Sequence, residues 1–409
     1  MKASAALRPI LAIVLCLAFV SGCSLFGDGP GWGGKRAAEK AADAVPTVPE
    51  PVPTHRFEID AATDIVGVVQ KTLATKEDTL TDIARRFNVG YEEIVRANPG
   101  VDPWLPGENR EIVIPSQFIL PNAPREGIVI NAAAMRLFYY EKAKKGEKQV
   151  VHTYPIGIGK VGWKTPEGAT KIVRRTKDPI WRPTAAIIKE HREERGEILE
   201  QVVKAGPDNP LGRFAFYLGW PTYMIHGTNK PAGVGLRSSH GCIRLYPEDI
   251  AVLFEMAPIG TQVRVVNQPF LFGWHDGALH IQAFDVLEDD PRDWKKAQAK
   301  LLNKAMAERI QKELVARKEK IDWEAVAKLS HEPRGIPVSV SGGPDQLENI
   351  VASAAIVQNK VAPGATWDGI SDLPVDEATF QELVSDREPS VESAAAASAP
   401  VPATKPVSN

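Results

Sequence analysis

Apolar residues recur at helical spacing between positions 70 and 116. Residues 78–87 place on one helix face the side chains of Leu80, Ile83, Ala84 and Phe87. Thr79 is a residue type that caps helices, and Gly90 breaks the chain before residues 91–98 repeat the pattern. Residues 112–115 then form a short apolar strand that ends in proline. The pattern predicts a strand, helix, helix, strand (βααβ) unit over residues 70–116.

Short β-branched and aromatic runs replace this pattern between residues 125 and 267. Glycine, proline and asparagine bound these runs, which are residues 128–130, 137–140, 150–154, 171–174, 223–226 and 262–266. Residues 247–254 indicate one helix, whose first turn carries Glu248 and Asp249, where acidic groups suit the helix dipole. Closely spaced strands with little helix indicate a mainly β domain, a sandwich or a barrel, over residues 125–267.

Residues 268–340 carry a third pattern. A β-like stretch at 278–286 leads into a helix rich in Ala, Lys and Glu over residues 292–318, and residues 322–329 indicate a shorter helix. Charges four residues apart predict a solvated face on the long helix. Its apolar residues available to pack on the sheet are Leu301, Leu302, Ala305, Ile310 and Leu314. We expect a helical C-terminal appendage, and the whole chain is predicted to be an α+β multidomain protein.

Both ends of the chain differ in composition from its middle. Lys2 and Arg8 accompany an apolar run that is too short to span a membrane, which predicts an export signal over residues 1–22. Residues 23–69 are rich first in glycine and then in proline, so we expect a flexible tether. Residues 384–409, rich in Ala, Ser, Pro and Val without periodicity, are expected to form a disordered tail.

Charge and cysteine usage narrow the possible functions. The chain carries 49 Lys and Arg against 51 Asp and Glu, and its basic residues form no cluster interleaved with aromatics, so nucleic-acid binding is not expected. Of its three cysteines, Cys16 and Cys23 lie at the signal, and Cys242 is the only internal thiol. Such a thiol forms no internal disulfide, and in an oxidising compartment it is a liability unless its reactivity is used.

The surroundings of Cys242 in the sequence are rich in catalytic residue types. The motif reads Ser239-His240-Gly241-Cys242. His226 precedes the cysteine by sixteen residues at the end of an apolar strand, and an imidazole can ionise a thiol. A turn at Gly241 can aim the N–H groups of Gly241 and Cys242 at an oxyanion, and Arg244 can hold a substrate carboxylate. As an alternative, His226, His240 and Cys242 could be three zinc ligands.

These residues carry a family resemblance. His226, Gly227 and residues 239–244 resemble the active-site signature of the L,D-transpeptidase catalytic domain of the YkuD or ErfK type, and the similarity extends over residues 125–267. Residues 70–116 resemble the LysM module. Val20-Ser21-Gly22-Cys23 resembles a bacterial lipobox, which implies cleavage before Cys23 and lipidation of that residue.

The resemblance implies a cysteine acyltransferase of peptidoglycan that needs no metal and no cofactor. Cys242 would attack a stem tetrapeptide, release D-alanine and keep a thioester. His226 would be the proton donor and acceptor, the Gly227 carbonyl would orient its ring, and His240 would shape the site. The residues implied to bind substrate are Ser239, Gly241 and Arg244.

The resemblance also implies partners and a location. LysM modules bind N-acetylglucosamine-containing glycans, so the partner is peptidoglycan, and Ser24 after the lipobox resembles the sorting pattern of outer-membrane lipoproteins that face the periplasm of Gram-negative bacteria. The acyl acceptor stays open between a lysine of an outer-membrane lipoprotein, the diaminopimelate amine of a second stem, and water. The alternatives are an ordinary secretory signal, a βααβ unit without a glycan groove, and a non-catalytic wall-binding lipoprotein.

Overall fold

The computed structural model describes residues 48–144, 146–196, 198–292, 304–341 and 347–360, with the single positions 378, 381, 384 and 385. The predicted signal, Cys23 and all but two residues of the predicted tail lie outside the described residues, as do residues 293–303 of the predicted long helix. Among the described residues, no helix combines the length and the apolar character that a membrane crossing needs.

Strands and helices of the described residues are numbered in chain order. The strands are β1 Arg56–Ile59, β2 Ile65–Gly67, β3 Gln70–Leu73, β4 Glu111–Ile114, β5 Gln117–Ile119, β6 Gly127–Asn131, β7 Arg136–Tyr140, β8 Gln149–Pro155, β9 Ile158–Gly159, β10 Gly168–Lys177, β11 Phe214–Leu218, β12 Met224–His226, β13 Arg237–Ser239, β14 Ile243–Arg244, β15 Gln262–Val266, β16 Phe270–His275, β17 Ala278–Ala283, β18 Val338–Ser339 and β19 Ala355–Val357. The helices are α1 Leu80–Arg86, α2 Tyr91–Ala97, α3 Ala185–Arg195, α4 Pro247–Met256, α5 Lys304–Arg317, α6 Trp323–His331 and α7 Leu347–Ser353.

A nine-stranded mixed sheet forms the centre of the molecule. Its order is β1-β8-β7-β6-β15-β10-β11-β12-β14, with parallel pairing between β6 and β15 and between β12 and β14 and antiparallel pairing elsewhere. Each of the six runs predicted between residues 125 and 267 overlaps a strand of this sheet, and only Tyr223 of these runs lies outside its strand. Helix α4 contacts β11, and the shared core buries Phe216, Ile225, Ile250 and Leu253. The mainly β prediction is therefore confirmed for this domain.

Strand β11 and helix α3 belong to this domain but were not predicted. The Thr184 side chain caps α3 by accepting a hydrogen bond from the Ile187 N–H, and Gly196 ends the helix with φ +68°. The sequence between these caps is strongly charged and has no continuous apolar face. Hydrophobic periodicity therefore misses α3, although its two caps are visible in the sequence.

Part of the predicted tether is folded. Strand β1 pairs antiparallel with β8 at the edge of the large sheet, and β2 pairs antiparallel with β5. Ile59 and Val66 are buried together in one apolar cluster. Apolar Phe57 and Ile59 alternate with polar residues, which is a strand signal, but four residues beside a proline-rich stretch are too few to stand out. The tether prediction over residues 23–69 is wrong from the start of β1 onward.

The βααβ unit has the predicted order of β3, α1, α2 and β4, with β3 antiparallel to β4. Thr79 and Asp82 form a capping box at α1, with hydrogen bonds of 2.9 and 3.2 Å. The buried core of the unit includes Leu80, Ile83, Ala84, Phe87 and Ile94. Strand β19, from much later in the chain, adds in parallel to β3, and no sequence pattern predicted this addition.

Residues 268–340 contain more strand than predicted. Strands β16 and β17 form an antiparallel hairpin, to which β18 adds, and helices α5 and α6 pack on it. Ile310 and Leu314 are buried against this sheet, as predicted. Leu301, Leu302 and the side chain of Ala305 lie outside the described part. The expected helical appendage is therefore corrected to a three-stranded sheet with α5 and α6 packed on it. Strand β16 was missed because it is a contiguous apolar run without alternation, which gives no clear strand signal.

Candidate active site

Strands β12 and β14 bring the signature residues together. They run parallel, with Ile225 opposite Ile243 and His226 opposite Arg244. As opposite residues of a parallel pair, His226 and Arg244 share one face of the sheet, and Cys242 directly precedes β14. The Arg244 cation acts on the pKa of both other groups, which places it close to them. Sheet pairing thus places the strand that ends at His226 beside the strand that directly follows Cys242.

The His226 ring is buried and held in one tautomer. Its Nδ1–H donates to the Gly227 carbonyl oxygen over 2.6 Å, so the lone pair lies on Nε2. Burial and, to a lesser extent, the Arg244 cation lower the pKa of His226 to about 3, while the hydrogen bond to Gly227 opposes this shift. His226 is therefore neutral over the physiological pH range, and its Nε2 is unprotonated and able to accept a proton.

The Cys242 thiol is half-buried, forms no disulfide and is protonated at rest. Burial raises the pKa of Cys242 to about 11, against the opposing effects of the Met224 backbone and the Arg244 cation. Its Sγ donates to the Thr222 carbonyl oxygen over 3.6 Å. Thr222 has φ +70°, a strained conformation for a β-branched residue. The resting pair is therefore a neutral thiol and a neutral imidazole, whereas the sequence suggested a thiolate.

A hydrogen-bonded turn presents the thiol. Ser239 Oγ accepts from the Gly241 N–H over 3.2 Å and donates to the Cys242 carbonyl oxygen over 2.6 Å. Thr165 Oγ1 donates to the Gly241 carbonyl oxygen over 3.0 Å. Gly241 has φ +98°, and a Cβ there would lie 2.8 Å from the Tyr223 ring. Only glycine fits this position without a shift of the turn.

These hydrogen bonds change two predicted roles. Ser239 is buried and shapes the turn, so its hydroxyl is not offered to a substrate. The Gly241 N–H is engaged by Ser239 Oγ, which makes it unsuitable as an oxyanion donor. An oxyanion needs an N–H that is aimed at it. Of the two donors predicted from the sequence, the Cys242 N–H is therefore the one that stays a candidate.

Arg244 is a half-buried cation, and no carboxylate among the described residues lies within ion-pair distance of it. Its Nη1 donates to Ser238 Oγ over 3.2 Å, while its buried Nε has no hydrogen-bond partner in the described structure. Burial lowers the pKa of Arg244. Gly233 gives the guanidinium its space, because a Cβ there would lie 2.6 Å from Nη1. A buried donor left without a partner is costly, so this site is suited to an anion.

His240 contacts a glutamate and a tryptophan rather than the residues around His226 and Cys242, and the sequence did not predict these contacts. Its Nε2 lies 3.0 Å from a Glu190 carboxylate oxygen on α3, and Trp163 meets its ring edge-on with centroids 4.8 Å apart. Burial lowers the pKa of His240, and the Glu190 carboxylate opposes this shift. Lys160 also pairs with Glu190. A carboxylate on a distant helix leaves no local pattern beside the motif, and only the caps of α3 could have pointed to it.

Within the described ranges, there is no group of three or more His, Cys, Asp or Glu side chains that could hold a metal ion. The zinc alternative requires His226, His240 and Cys242 to converge on one point. His226 is instead held by the Gly227 carbonyl, and His240 faces Glu190. The arrangement favours nucleophilic chemistry at the thiol.

Comparison with known proteins identifies the two domain types and the family. A model of the YkuD L,D-transpeptidase catalytic domain matches residues 125–265, and a LysM domain model matches residues 75–105. The "Probable L,D-transpeptidase ErfK/SrfK" of Salmonella typhimurium is 38% identical over 266 residues, which cover 64% of this chain and 83% of that protein. This chain belongs to the L,D-transpeptidase family. The predicted resemblance to both domain types is confirmed.

Other L,D-transpeptidases are similar to different extents. The "Probable L,D-transpeptidase YbiS" of Escherichia coli strain K12 is 43% identical over 239 residues, or 58% of this chain and 75% of that protein. The solved L,D-transpeptidase from Mycobacterium smegmatis is 19% identical, covers 35% of this chain and 58% of that one, and gives a TM-score of 0.27. The family membership rests on the relatives in sequence, since that structural likeness is too low to add to it.

Proposed function

We propose that this L,D-transpeptidase is a cysteine acyltransferase that acts on peptidoglycan stem tetrapeptides. The observation that supports this most is the Arg244 guanidinium, which has no carboxylate partner among the described residues and lies opposite His226, two residues after Cys242. A tetrapeptide ends in the carboxylate of D-alanine, and a guanidinium binds such a group through two parallel hydrogen bonds. Arg244 would hold that carboxylate and place the preceding carbonyl beside the thiol.

Acylation begins when Cys242 Sγ attacks the carbonyl carbon of the third stem residue. His226 Nε2 takes the thiol proton as the S–C bond forms, so charge develops only during the reaction. The Cys242 N–H stabilises the oxyanion. The C–N bond to D-alanine then breaks, and His226 returns the proton to the leaving amine. A thioester on Cys242 remains.

Transfer of the acyl group completes the cycle. An amine attacks the thioester carbonyl while His226 takes its proton, and the C–S bond breaks as that proton returns to Cys242. We place a lysine amine of an outer-membrane lipoprotein first as acceptor and the diaminopimelate amine of a second stem next. Water as acceptor gives L,D-carboxypeptidase activity.

The LysM domain would bind the glycan through the loop between α2 and β4. Trp104 and Leu105 in this loop are 55% and 61% exposed. Both backbone N–H groups donate to the Asp102 carboxylate, over 2.8 and 3.1 Å, which fixes the loop. An exposed aromatic side chain on a loop held in this way offers an apolar face that a sugar ring can cover. We expect Trp104→Ala to weaken co-sedimentation with purified sacculi.

Lipidation of Cys23 would anchor the enzyme to the outer membrane, facing the periplasm. Metabolic labelling with an alkynyl fatty acid would mark the wild-type protein. Cys23→Ala would lose both the label and the membrane fraction, whereas a labelled Cys23→Ala would contradict the anchor.

Release of D-alanine from disaccharide tetrapeptide tests the activity. Wild-type protein releases it, Cys242→Ala does not, and Arg244→Gln does so much more slowly. Arg56→Gln is the matched control, because Arg56 is also half-buried and its Nε also has no hydrogen-bond partner among the described residues, but it lies on the opposite edge strand of the sheet. No release by the wild type would favour the non-catalytic wall-binding alternative.

The acceptor needs a separate experiment. Muropeptides from cells with and without the protein are compared by mass spectrometry. Loss of stems carrying a lipoprotein lysine identifies the first acceptor, and loss of 3→3 cross-linked stems identifies the second.

A further inference from the structure

The LysM domain contacts the catalytic domain on both sides of the Cys242 turn. One contact lies at Val234 and Gly235, just before β13, and the other lies at Tyr246 and Glu248, just after β14. The turn that presents the thiol is therefore bracketed, within a few residues on either side, by groups that the LysM domain holds.

The first contact is backbone to backbone at the start of α2. The Tyr91 and Glu92 N–H groups donate to the Val234 and Gly235 carbonyl oxygens, over 3.3 and 3.2 Å, so the catalytic domain supplies partners for a helix end. Gly235 has φ +82°, and a Cβ there would lie 2.1 Å from the Tyr91 nitrogen. A Cβ on Gly90 would lie 2.8 Å from the Gly235 Cα. Two facing glycines thus allow this approach.

The second contact is an ion pair with a hydroxyl beside it. Arg85 of α1 donates from Nε and Nη2 to the two carboxylate oxygens of Glu248, each over 3.0 Å, and Glu248 is fully buried. Tyr246 donates its hydroxyl to the Val89 carbonyl oxygen over 3.1 Å. Both catalytic-domain residues lie at the start of α4, directly after the strand that carries Arg244.

A third contact fixes α2 itself. Arg136 of β7 donates to both carboxylate oxygens of Glu93, over 2.7 and 2.8 Å, and to the Asn88 carbonyl oxygen over 3.1 Å. The same Glu93 carboxylate accepts from the Gly90 N–H over 2.6 Å. The start of α2 is therefore held against the catalytic sheet by buried, oriented hydrogen bonds, and the Val234 and Gly235 loop rests on it.

We propose that the LysM domain is a structural part of the catalytic site, with Arg85 and Gly90 as positioning residues for the reaction at Cys242. This inference rests on the proposed acyl transfer. A domain that only tethers the enzyme to glycan raises local substrate concentration and leaves the chemistry of a free peptide untouched. A domain that supports the turn changes the rate on any substrate, because small displacements of reacting groups reduce rates strongly.

The test uses the full chain and a soluble stem tetrapeptide that carries no sugar. Arg85→Lys keeps the charge but loses the paired hydrogen bonds to Glu248. Arg86→Lys is the matched control, since neighbouring Arg86 pairs with Asp78 inside the LysM domain. We expect kcat for D-alanine release to fall about 10- to 100-fold in Arg85→Lys, with little change in KM, and to stay within about twofold in Arg86→Lys.

Gly90→Ala is the second variant. Its own backbone, with φ −86°, accepts alanine, so the added methyl group acts mainly against Gly235. The second-order rate of Cys242 alkylation by iodoacetamide is measured on the same proteins and needs no turnover. We expect this rate to change at least severalfold in Gly90→Ala and Arg85→Lys, at unchanged circular dichroism, and not in Arg86→Lys.

The outcomes separate this inference from the proposed function. Wild-type turnover that is lost in Cys242→Ala but unchanged in folded Arg85→Lys and Gly90→Ala overturns the positioning role and leaves the acyl transfer intact. No turnover by the wild type, with an alkylation rate that still depends on Arg85 and Gly90, refutes the acyl transfer while the support of the turn stands.

Discussion

Arg136 and Arg244 are two arginines on the same large sheet with opposite surroundings. Arg136, at the LysM junction, is 1% exposed and donates to both oxygens of Glu93 and to two further acceptors. Arg244, in the active site, has one hydroxyl partner, a buried Nε without a partner, and no carboxylate in ion-pair range within the described structure. Both guanidinium groups are at least partly desolvated when the protein folds.

The difference separates a structural cation from a binding cation. A guanidinium whose three nitrogens all donate hydrogen bonds, like that of Arg136, fixes the elements around it, and removing it leaves a buried carboxylate uncompensated. A guanidinium with unused donors is costly in the free protein, and the cost is recovered when an anion arrives. Arg136 thus stabilises the geometry of the junction, while Arg244 in the active site has N–H donors that a substrate carboxylate can bind.

The largest effect is expected at the junction. Arg136→Gln would leave the Glu93 carboxylate buried without its cation, so the free energy of unfolding should fall by about 3–5 kcal/mol. Urea denaturation followed by circular dichroism measures this change. Arg244→Gln should alter the same free energy by less than about 1 kcal/mol, because no buried partner is left behind. Equal losses in the two variants would remove the distinction.

The next effect concerns turnover. Arg244→Gln should lower kcat/KM for D-alanine release about 100-fold, since the substrate carboxylate loses its charged partner. Arg244→Lys should recover only part of this, because a lysine cannot form two parallel hydrogen bonds. Both changes are measured with soluble tetrapeptides. A tetrapeptide with a C-terminal amide should be a poorer substrate than the free acid for the wild type, but not for Arg244→Gln. Full activity of Arg244→Gln would assign the carboxylate to another site.

The pH profile sharpens the same comparison. The pKa of His226 is lowered from its ordinary value of 6.5 to about 3, so its base form persists as the pH falls through 6.5. From about pH 5 to about pH 9, kcat/KM should therefore show no acid limb near 6.5. Iodoacetamide alkylation of Cys242 should still be rising at the upper end, because the thiol pKa is about 11. An acid limb near 6.5 would indicate an exposed imidazole.

The smallest effect is expected beside the site. The Glu190 carboxylate raises the pKa of His240, so Glu190→Gln should lower that pKa. Turnover should change by less than about tenfold, since neither group is assigned a proton-transfer step. Nuclear magnetic resonance titration of the His240 ring gives the first quantity and D-alanine release the second. A loss of turnover as large as that of Cys242→Ala would give His240 a direct part in the chemistry.

Most of the fold could be predicted where apolar periodicity was strong. Residues 78–98 form two helices, and the six predicted runs form strands, because burial on one face dictates each pattern. The sequence was enough to choose Cys242, His226 and Arg244 as site residues. They are the single internal thiol, an imidazole at a strand end and a guanidinium that can form two parallel hydrogen bonds. The pairing of β12 with β14 places His226 opposite Arg244.

The remaining features depend on contacts that are distant in sequence. Strand β19 joins β3 from almost 300 residues away, and the Arg136–Glu93 pair joins two domains. Two features of the site depend on which groups surround it in space: the absence of a carboxylate beside Arg244 among the described residues, and the engagement of the Gly241 N–H by Ser239. A sequence names the candidate groups, but their hydrogen-bond partners are set by the tertiary fold.

The central claim is that Cys242 becomes covalently acylated by a stem peptide. Intact-protein mass spectrometry after rapid mixing with disaccharide tetrapeptide, followed by peptide mapping, tests it directly. We predict a mass increase equal to the acyl group left after loss of D-alanine, located on the peptide that contains Cys242 and absent in Cys242→Ala. Release of D-alanine by the wild type without any adduct on Cys242, or with the adduct on another residue, would contradict the account.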